Sequence, residues 1–256
     1  QTAEIMRRFE PVLDDLAPDL VLVVGDVNST IACALVATKK DIAVVHVEAG
    51  LRSGDRRMPE EINRVLTDQI SDLLFTTEPD GESNLLHEGV AAGRIHFVGN
   101  VMIDTLLANR ERAVPAAATL SGIPRFSSDV SNFGVLTLHR PSNVDDPVVL
   151  QRLLEALVDL SERVPLVFPI HPRTRARIAE TGLSPLLENS RIGLTEPLGY
   201  LQLLGLMSEA RVVLTDSGGL QEETTALGVP CITLRENTER PITVTQGTNT
   251  IVGTDV

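Results

Sequence analysis

Short apolar runs alternate with amphipathic stretches of helical period along nearly the whole chain of 256 residues. A strand buried on both faces of a sheet has this apolar character, and two parallel strands need a crossover connection, usually a helix, between them. The alternation therefore predicts an α/β protein with parallel sheets. The predicted strands are residues 19–24, 42–47, 73–76 and 95–98 in the first part, and 134–138, 166–170, 192–194, 212–214, 231–234 and 250–252 in the second.

A stretch between the two sets of strands divides the chain. Residues 112–132 are rich in Ala, Pro and Ser, which predicts a loop or linker, and residues 100–110 predict a helix leading into it. We predict two α/β domains, residues 1–102 and 103–256. The chain starts within a helical pattern and stops shortly after the last strand. We therefore expect a fragment cut at both ends, with an incomplete amino-terminal domain.

The composition excludes several classes of partner. Hydrophobic residues make up 43% of the chain, enough for sizeable cores, and no apolar run reaches the length of a membrane span. The formal net charge of −13 and the 3% of aromatic residues argue against nucleic acid, which needs a positive surface or stacking side chains. A small anionic ligand needs only a local group of donors and stays compatible. Cys33 and Cys231 lack metal-like spacing and, without a leader resembling a signal peptide, fit a reduced, cytoplasmic setting.

Polar residues stand directly after many of the predicted strands. In open α/β sheets, ligands bind beyond the carboxyl ends of the strands. We therefore expect each sheet to present a functional edge, with the site in a cleft between two facing domains. The residues at these positions are Asp26, Glu48 and Asn100 in the first part, and His139, His171, Glu196, residues 216–219 and Arg235 in the second.

Residues 42–64, IAVVHVEAGLRSGDRRMPEEINR, contain two candidate acid/base groups. An apolar strand ends at Glu48, and a predicted helix opening at Pro59 carries Glu60. Together with Asp26, in VGDVNST, these carboxylates suit the removal and return of a proton. The alternative is structural, because Asp26 can cap a helix and Glu60 favours a helix N-terminus. Both interpretations stay open on these residues alone.

Residues 211–225, RVVLTDSGGLQEETT, predict a strand, a tight turn and a helix. Gly218 and Gly219 would let a phosphate approach the backbone, where a helix N-terminus supplies N–H donors. Ser217 adds a hydroxyl donor, and Glu223, one turn further in, could hold a ribose diol. An ordinary strand-to-helix turn has the same pattern, and neither a Walker loop nor GxGxxG is present.

Three further polar positions are candidates with structural alternatives. Arg240, in RENTERP, could clamp a diphosphate or belong to a solvated run of charges. His139, in GVLTLHRPSN, could stabilise a leaving phosphate, although a lone histidine is usually structural. His171 lies between prolines in FPIHPR, which favours a loop-shaping role or a secondary place in the site. The sequence offers no set of residues with metal-ligand spacing.

Seven motifs occur in one order over nearly the whole chain: GDVNST, HVEAGLRSGD, PEEINR, GNVMID, TLHRPSN, TDSGGLQEE and TERP. As an ordered set they resemble the non-hydrolysing UDP-N-acetylglucosamine 2-epimerases. The resemblance implies two Rossmann-like domains of the glycosyltransferase-B type facing a cleft. It also implies interconversion of UDP-N-acetylglucosamine and UDP-N-acetylmannosamine. In that reaction a base removes the proton at C2 while UDP leaves C1, and UDP then adds back to the bound 2-acetamidoglucal, without cofactor or metal.

The resemblance also assigns roles, motif by motif. The implied acid/base carboxylates are Asp26, Glu48 and Glu60. His139 is implied to assist the departing diphosphate. The implied substrate-binding residues are Ser217, Gly218 and Gly219 for the phosphates, Glu223 for the ribose and Arg240 for a further contact to UDP. Which carboxylate removes the proton and which returns it stays open.

The sequence departs from the family at both ends. The family begins with a strand, a Gly-Thr-Arg-Pro-Glu loop and a lysine, and ends with a stretch that packs back on the first domain; this sequence has neither. We therefore expect an exposed sheet edge and a fragment that is inactive by itself. For the full-length protein the resemblance implies a homodimer.

Several alternatives stay open. A glycosyltransferase of the same fold would use the same ribose contact but move the sugar to an acceptor. A hydrolysing epimerase would release UDP and free N-acetylmannosamine, and a binding module would not turn over. Three carboxylates in the amino-terminal half favour proton transfer at carbon over sugar transfer. The sugar is not fixed, because a 2,3-diacetamido uronic acid derivative would undergo the same chemistry.

Overall fold

The computed structural model describes residues 1–126 and 132–254. Within it the chain forms two compact units, Gln1–Val101 and Met102–Val256. Each unit is built on one parallel sheet. All ten predicted strands are present in the described residues, with ends within two residues of the predicted ones.

Unit 1 contains a four-stranded parallel sheet in the order β1-β2-β3-β4. Its strands are β1 (Leu20–Val24), β2 (Ala43–Ala49), β3 (Leu73–Thr76) and β4 (Ile95–Phe97). Its helices are α1 (Thr2–Leu16), α2 (Asn28–Lys39), α3 (Pro59–Ile70) and α4 (Pro79–His87), and α5 (Val101–Asn109) begins at its last residue. The sequential order places the carboxyl ends of β1 and β2 side by side.

Unit 2 contains a six-stranded parallel sheet in the order β10-β9-β8-β5-β6-β7. Its strands are β5 (Gly134–Thr137), β6 (Leu166–Pro169), β7 (Ile192–Thr195), β8 (Val212–Thr215), β9 (Cys231–Thr233) and β10 (Asn249–Ile251). Its further helices are α6 (Ala116–Leu120), α7 (Pro141–Val144), α8 (Pro147–Ser161), α9 (Pro172–Glu180), α10 (Ser184–Glu188), α11 (Tyr200–Glu209), α12 (Gly218–Leu227) and α13 (Pro241–Thr245). Strands β5 and β8 are neighbours, so the loops that follow them meet.

The core of unit 2 follows from helical periodicity on α8. Leu150, Leu153, Leu154 and Leu157 recur at helical spacing and are buried against the sheet. Asp146 caps this helix, because its side chain accepts hydrogen bonds from the first backbone N–H groups. This apolar packing gives the loops at the strand ends a fixed base.

The predicted linker over residues 112–132 is wrong where the structure describes it. Residues 116–120 form α6, with Ala116 and Leu120 fully buried in the core of unit 2. Alanine has the highest helix propensity, and the backbone of Val114 packs against α11 by donating to the carbonyl of Leu201 at 3.0 Å. Residues 127–131 of the predicted linker lie outside the described residues.

The predicted exposed edge is present at β1. This strand pairs only with β2 among the described residues, and Leu20, Leu22 and Val24 are 44–55% exposed. Parallel sheets normally have both faces covered, so the face of β1 that carries these three side chains is unusually open. No helix of the described residues has the length and apolarity that a membrane crossing requires.

Candidate functional site

Glu48 lies at an irregularity of β2, one residue before the strand ends. The pairing with β3 shifts between Val47 and Ala49, so that Glu48 is an inserted residue. Its φ of 68° is in the left-handed region, which is unfavourable by about 1–3 kcal/mol for a residue other than glycine. The sequence predicted the strand to end before Glu48, whereas the structure keeps it within the strand and redirects it by a bulge.

Asp26 follows β1 and is held by α3. Its carboxylate forms an ion pair with Arg64 at 2.5 Å, and its carbonyl oxygen accepts a hydrogen bond from Asn63 Nδ2 at 2.9 Å. Arg64 is only 2% exposed. The contacts with Asn63 and Arg64 therefore fix the position of Asp26 relative to α3.

Glu60 and Glu61 are neighbours on α3 with different surroundings. Glu61 is buried, where it accepts hydrogen bonds from Ser53 N, Ser53 Oγ and Gly54 N at 2.9 Å and pairs with Arg64 at 2.8 Å. It therefore anchors the loop that follows β2. Glu60 is half-buried and lines a pocket of about 390 Å³ together with Asn63. Asn63 also contacts Asp26, so Glu60 and Asp26 share one neighbour.

Glu48 contacts the turn that carries Asp26. A Cβ placed on Gly25 would lie 3.8 Å from Glu48 Oε2. Unit 1 thus brings Asp26, Glu48 and Glu60 to the carboxyl end of its sheet, as the sequence predicts. Sequence reasoning missed His46 and Asp68, which lie buried beneath these turns at a separation of 22 residues. A histidine inside an apolar central strand, VVHVE, was the available signal.

Unit 2 has a pocket of about 410 Å³ at the carboxyl ends of β5, β6 and β8. Four of the predicted site residues line it, namely His139, Ser217, Gly219 and Glu223. His171 also lines it, with its ring centroid 6.0 Å from that of His139. His171 Nδ1 accepts a hydrogen bond from Arg173 N at the start of α9, which agrees with a loop-shaping role.

His139 lies beside Asp216, a fully buried carboxylate of the expected functional edge to which the sequence assigned no specific role. Nδ1 of His139 lies 2.9 Å from Asp216 Oδ1, in an oblique contact outside hydrogen-bond angles. The other oxygen, Oδ2, accepts hydrogen bonds from the backbone N–H groups of His139 and Arg140, both at 2.8 Å. With Nδ1 beside a carboxylate, Nε2 is the nitrogen left to meet a ligand in the pocket.

Gly218 begins α12, and the space beside it has no room for a side chain. A Cβ there would lie 2.2 Å from Glu239 Oε1. Glu239 pairs with Arg235 at 2.8 Å and with Arg140 at 3.6 Å. Burial raises the pKa of Glu239, but Arg235 outweighs it and holds the value at about 2. Glu239 therefore stays ionised beside the turn at Gly218, whereas no atom lies within 4 Å of the place that a Cβ on Gly219 would occupy.

Glu223 and Tyr200 form a hydrogen-bonded pair in the same pocket. Burial raises the pKa of Glu223, and the Tyr200 hydroxyl counteracts part of that shift. Burial and the Glu223 charge together raise the pKa of Tyr200 to about 12. With a pKa of about 12, Tyr200 keeps its proton at neutral pH and donates the hydrogen bond to the Glu223 carboxyl group.

Arg240 is placed differently from the other predicted contacts. It is buried, and its Nε lies 3.1 Å from Glu222 Oε2. It is not among the residues that line the pocket. Among residues 1–126 and 132–254, no group of three or more His, Cys, Asp or Glu side chains is arranged to hold a metal ion.

Known proteins resemble this chain over its whole length. The family model described as UDP-N-acetylglucosamine 2-epimerase matches residues 1–256. A UDP-N-acetylglucosamine 2-epimerase of Methanococcus maripaludis is 45% identical over 258 residues, which cover 100% of this chain and 70% of that protein. A UDP-2,3-diacetamido-2,3-dideoxy-D-glucuronate 2-epimerase of Pseudomonas aeruginosa is 44% identical over 255 residues, covering 98% of this chain and 68% of that protein.

Solved structures of UDP-GlcNAc 2-epimerases also resemble this chain. The Methanocaldococcus jannaschii UDP-GlcNAc 2-epimerase in complex with UDP-GlcNAc and UDP matches with a TM-score of 0.91 and 45% identity, over 99% of this chain and 70% of that one. The Neisseria meningitidis enzyme bound to UDP-GlcNAc matches with a TM-score of 0.89 and 34% identity, over 99% and 69%. The predicted fold class, two Rossmann-like α/β domains of the glycosyltransferase-B type, is confirmed. The chain belongs to the UDP-N-acetylglucosamine 2-epimerase family.

Proposed function

We propose that the full-length protein epimerises UDP-N-acetylglucosamine at C2 to UDP-N-acetylmannosamine, without hydrolysis. The observation that carries the proposal is the division of chemistry between the two units. Residues 1–102 hold three carboxylates at one sheet edge, and residues 103–256 hold an oriented histidine beside a helix N-terminus. A relative that is 45% identical has been solved with UDP-GlcNAc and UDP, which supports this substrate.

The nucleotide is assigned to the pocket of unit 2. The N-terminus of α12 at Gly219, with the Ser217 hydroxyl, suits the diphosphate, because free N–H groups and the helix dipole favour an anion. Glu223, held by Tyr200, is positioned to accept hydrogen bonds from a ribose diol. His139 presents Nε2 to the pocket and would stabilise the charge that develops on the departing diphosphate.

The carboxylates of unit 1 are assigned to the proton. One of Asp26, Glu48 and Glu60 removes the proton from C2 as the C1–O bond to UDP breaks, which leaves a C1–C2 double bond in 2-acetamidoglucal. UDP then re-forms the bond to C1 while a carboxylate delivers a proton to the opposite face of C2. The substrate and product are isomers, so the cycle is balanced without an oxidant or a cofactor. We also propose that the full-length protein acts as a homodimer.

A second sugar substrate is favoured by one observation. The Pseudomonas aeruginosa relative at 44% identity is a 2-epimerase of UDP-2,3-diacetamido-2,3-dideoxy-D-glucuronate. The two substrates differ at C3 and C6 and share the reacting carbons. Parallel assays with both UDP-sugars decide between them by kcat/KM.

The experiment that tests the function is turnover of the full-length protein in D₂O. We expect deuterium at C2 of the recovered UDP-sugar and a mixture of the two epimers with UDP attached. Free N-acetylmannosamine would instead establish a hydrolysing epimerase, and a glycosylated acceptor a glycosyltransferase. UDP binding without deuterium incorporation would reject the epimerase proposal.

Variants assign the roles in that assay. Asp26→Asn, Glu48→Gln and Glu60→Gln each remove one carboxylate charge while keeping the size of the side chain. We expect a 10²- to 10⁴-fold lower rate for the groups that transfer the proton, the usual contribution of general acid–base catalysis. Glu82→Gln, at an exposed position of α4, is the matched control and should keep the wild-type rate.

A further inference from the structure

Two ionisable side chains are completely buried beneath the turns that carry Asp26 and Glu48. His46 of β2 and Asp68 of α3 have no exposed surface, and Nδ1 of His46 lies 2.6 Å from Oδ1 of Asp68. Burying such a pair is unfavourable unless its remaining polar atoms are also hydrogen-bonded. The partners of those atoms therefore show what the pair does.

The remaining atoms of the pair hold the two turns directly. Nε2 of His46 lies 2.8 Å from the carbonyl oxygen of Gly25, the residue before Asp26. Oδ2 of Asp68 accepts a hydrogen bond from the backbone N–H of Gly50, two residues after Glu48, at 3.1 Å. One buried pair thus connects both carboxylate-bearing turns.

The hydrogen-bond partners also determine where protons must be. A carbonyl oxygen only accepts, so Nε2 of His46 carries a proton, and a second proton lies between Nδ1 and Asp68 Oδ1. Arg52 Nη2 lies 2.7 Å from Asp68 Oδ2, and the Arg52 guanidinium donates two hydrogen bonds to Glu88, one from Nε and one from Nη2. Asp68 is therefore surrounded by donors on His46, Gly50 and Arg52.

The turn at Glu48 needs such support because its backbone is unfavourable. Glu48 has a φ of 68°, in the left-handed region, whereas Gly25 and Gly50, at 70° and 81°, adopt that region without strain. A left-handed residue other than glycine persists at a functional site only where the surroundings over-determine it. A displacement of about 1 Å at a reacting group can lower turnover about 100-fold. We therefore expect loss of the His46–Asp68 pair to displace the Asp26 and Glu48 turns.

We propose that His46 and Asp68 are positioning residues, which fix the Asp26 and Glu48 turns for the proton transfer. This inference rests on the function proposed above. Neither side chain can touch a substrate, because both are fully buried. Their effect is on the placement of the carboxylates, and the nucleotide pocket of unit 2 is not involved.

The test compares the full-length wild type with His46→Gln and Asp68→Asn. Each variant keeps the approximate size of the side chain and removes one of the hydrogen bonds of the pair. His96→Gln is the matched control, since His96 is an exposed histidine of the same sheet. We measure kcat and KM for UDP-N-acetylglucosamine, and the Kd of UDP by calorimetry.

We expect kcat to fall about 10- to 100-fold in His46→Gln and Asp68→Asn, with KM and the Kd of UDP unchanged. The control keeps the wild-type kcat. Unchanged kcat in both variants overturns the inference. A parallel loss of UDP affinity also overturns it, because that pattern reports general unfolding.

Amide hydrogen exchange measures local opening of the same two turns and does not depend on catalytic activity. The N–H groups of Gly25 and Gly50 are hydrogen-bonded, to Val47 O and to Asp68, and we expect both to exchange faster in the two variants. Wild-type exchange rates at both glycines overturn the inference. A wild type that binds UDP but does not turn over rejects the proposed function alone, and exchange then decides the positioning role.

Discussion

The turn after Glu48 has no space for a methyl group at Gly50. Gly50 has a φ of 81°, and a Cβ there would lie 2.3 Å from Gly81 O, 2.7 Å from Gly81 C and 2.8 Å from Gly81 Cα. Ordinary carbon contacts lie at about 3.5–4.0 Å, so the backbone would have to separate by about 1 Å. We predict that Gly50→Ala strongly destabilises unit 1.

Gly89 supplies a matched control for this prediction. Its φ is 83°, and no atom lies within 4 Å of the place that a Cβ would occupy. Gly89→Ala should lower the free energy of unfolding only by the left-handed penalty, about 1–2 kcal/mol. Gly50→Ala carries the same penalty plus about 1–3 kcal/mol for overpacking. The two variants should therefore differ by about 2 kcal/mol.

Urea denaturation followed by circular dichroism measures this difference. With an m value of about 2 kcal/mol/M, a difference of about 2 kcal/mol separates the two midpoints by about 1 M. Equal midpoints would refute the reasoning, because they would show that the left-handed conformation alone explains the glycine. A lower turnover in Gly50→Ala than in Gly89→Ala would further connect the turn to the placement of Glu48.

Three more predictions concern unit 2. Gly218→Ala should lower both the melting temperature and UDP affinity, because the methyl group meets Glu239, whereas Gly219→Ala should lower UDP affinity alone; calorimetry on both variants checks this. The pKa of Glu239 is about 2 against an ordinary 4.5, so its stabilisation is complete above about pH 4.5 and is lost as the pH falls towards 2. Urea midpoints should therefore fall by the equivalent of roughly 3 kcal/mol across that range, and Glu239→Gln should lack this part of the fall. Gly205→Ala should destabilise unit 2 despite the better helix propensity of alanine, because its Cβ would lie 1.7 Å from Val114 O; a raised melting temperature would contradict this.

The strands could be predicted because parallel strands are buried on both faces and read as apolar runs. The same property explains why the ends of these strands could be predicted, since Asp26 and His139 interrupt such runs abruptly. Residues 116–120 could not be assigned in this way. Five residues are too short for a periodic pattern, and Pro115 and the neighbouring Ser121 suggested a turn.

The roles of individual side chains could not be predicted where they depend on partners that the fold brings together. Glu60 and Glu61 are chemically identical, and only the loop at Ser53 makes Glu61 structural. The sequence shows Asp216 only as part of a polar strand end, whereas its contact with His139 joins residues 77 positions apart through the pairing of β5 with β8. Such roles depend on the order of the strands in the sheet, which cannot be predicted from the spacing of apolar residues.

The polar network of unit 1 contributes little to stability and is better explained by positioning. Replacing buried ion pairs with apolar side chains of similar volume is often neutral or stabilising, so His46 with Asp68, and Arg64 with Glu61, are weak contributors to folding. The strained Glu48 is unfavourable by about 1–3 kcal/mol. These features lie near the carboxyl end of one sheet, where the predicted proton-transfer carboxylates also lie. Departures from the rules of stability concentrate at functional sites, and their coincidence here supports the assignment independently of the motifs.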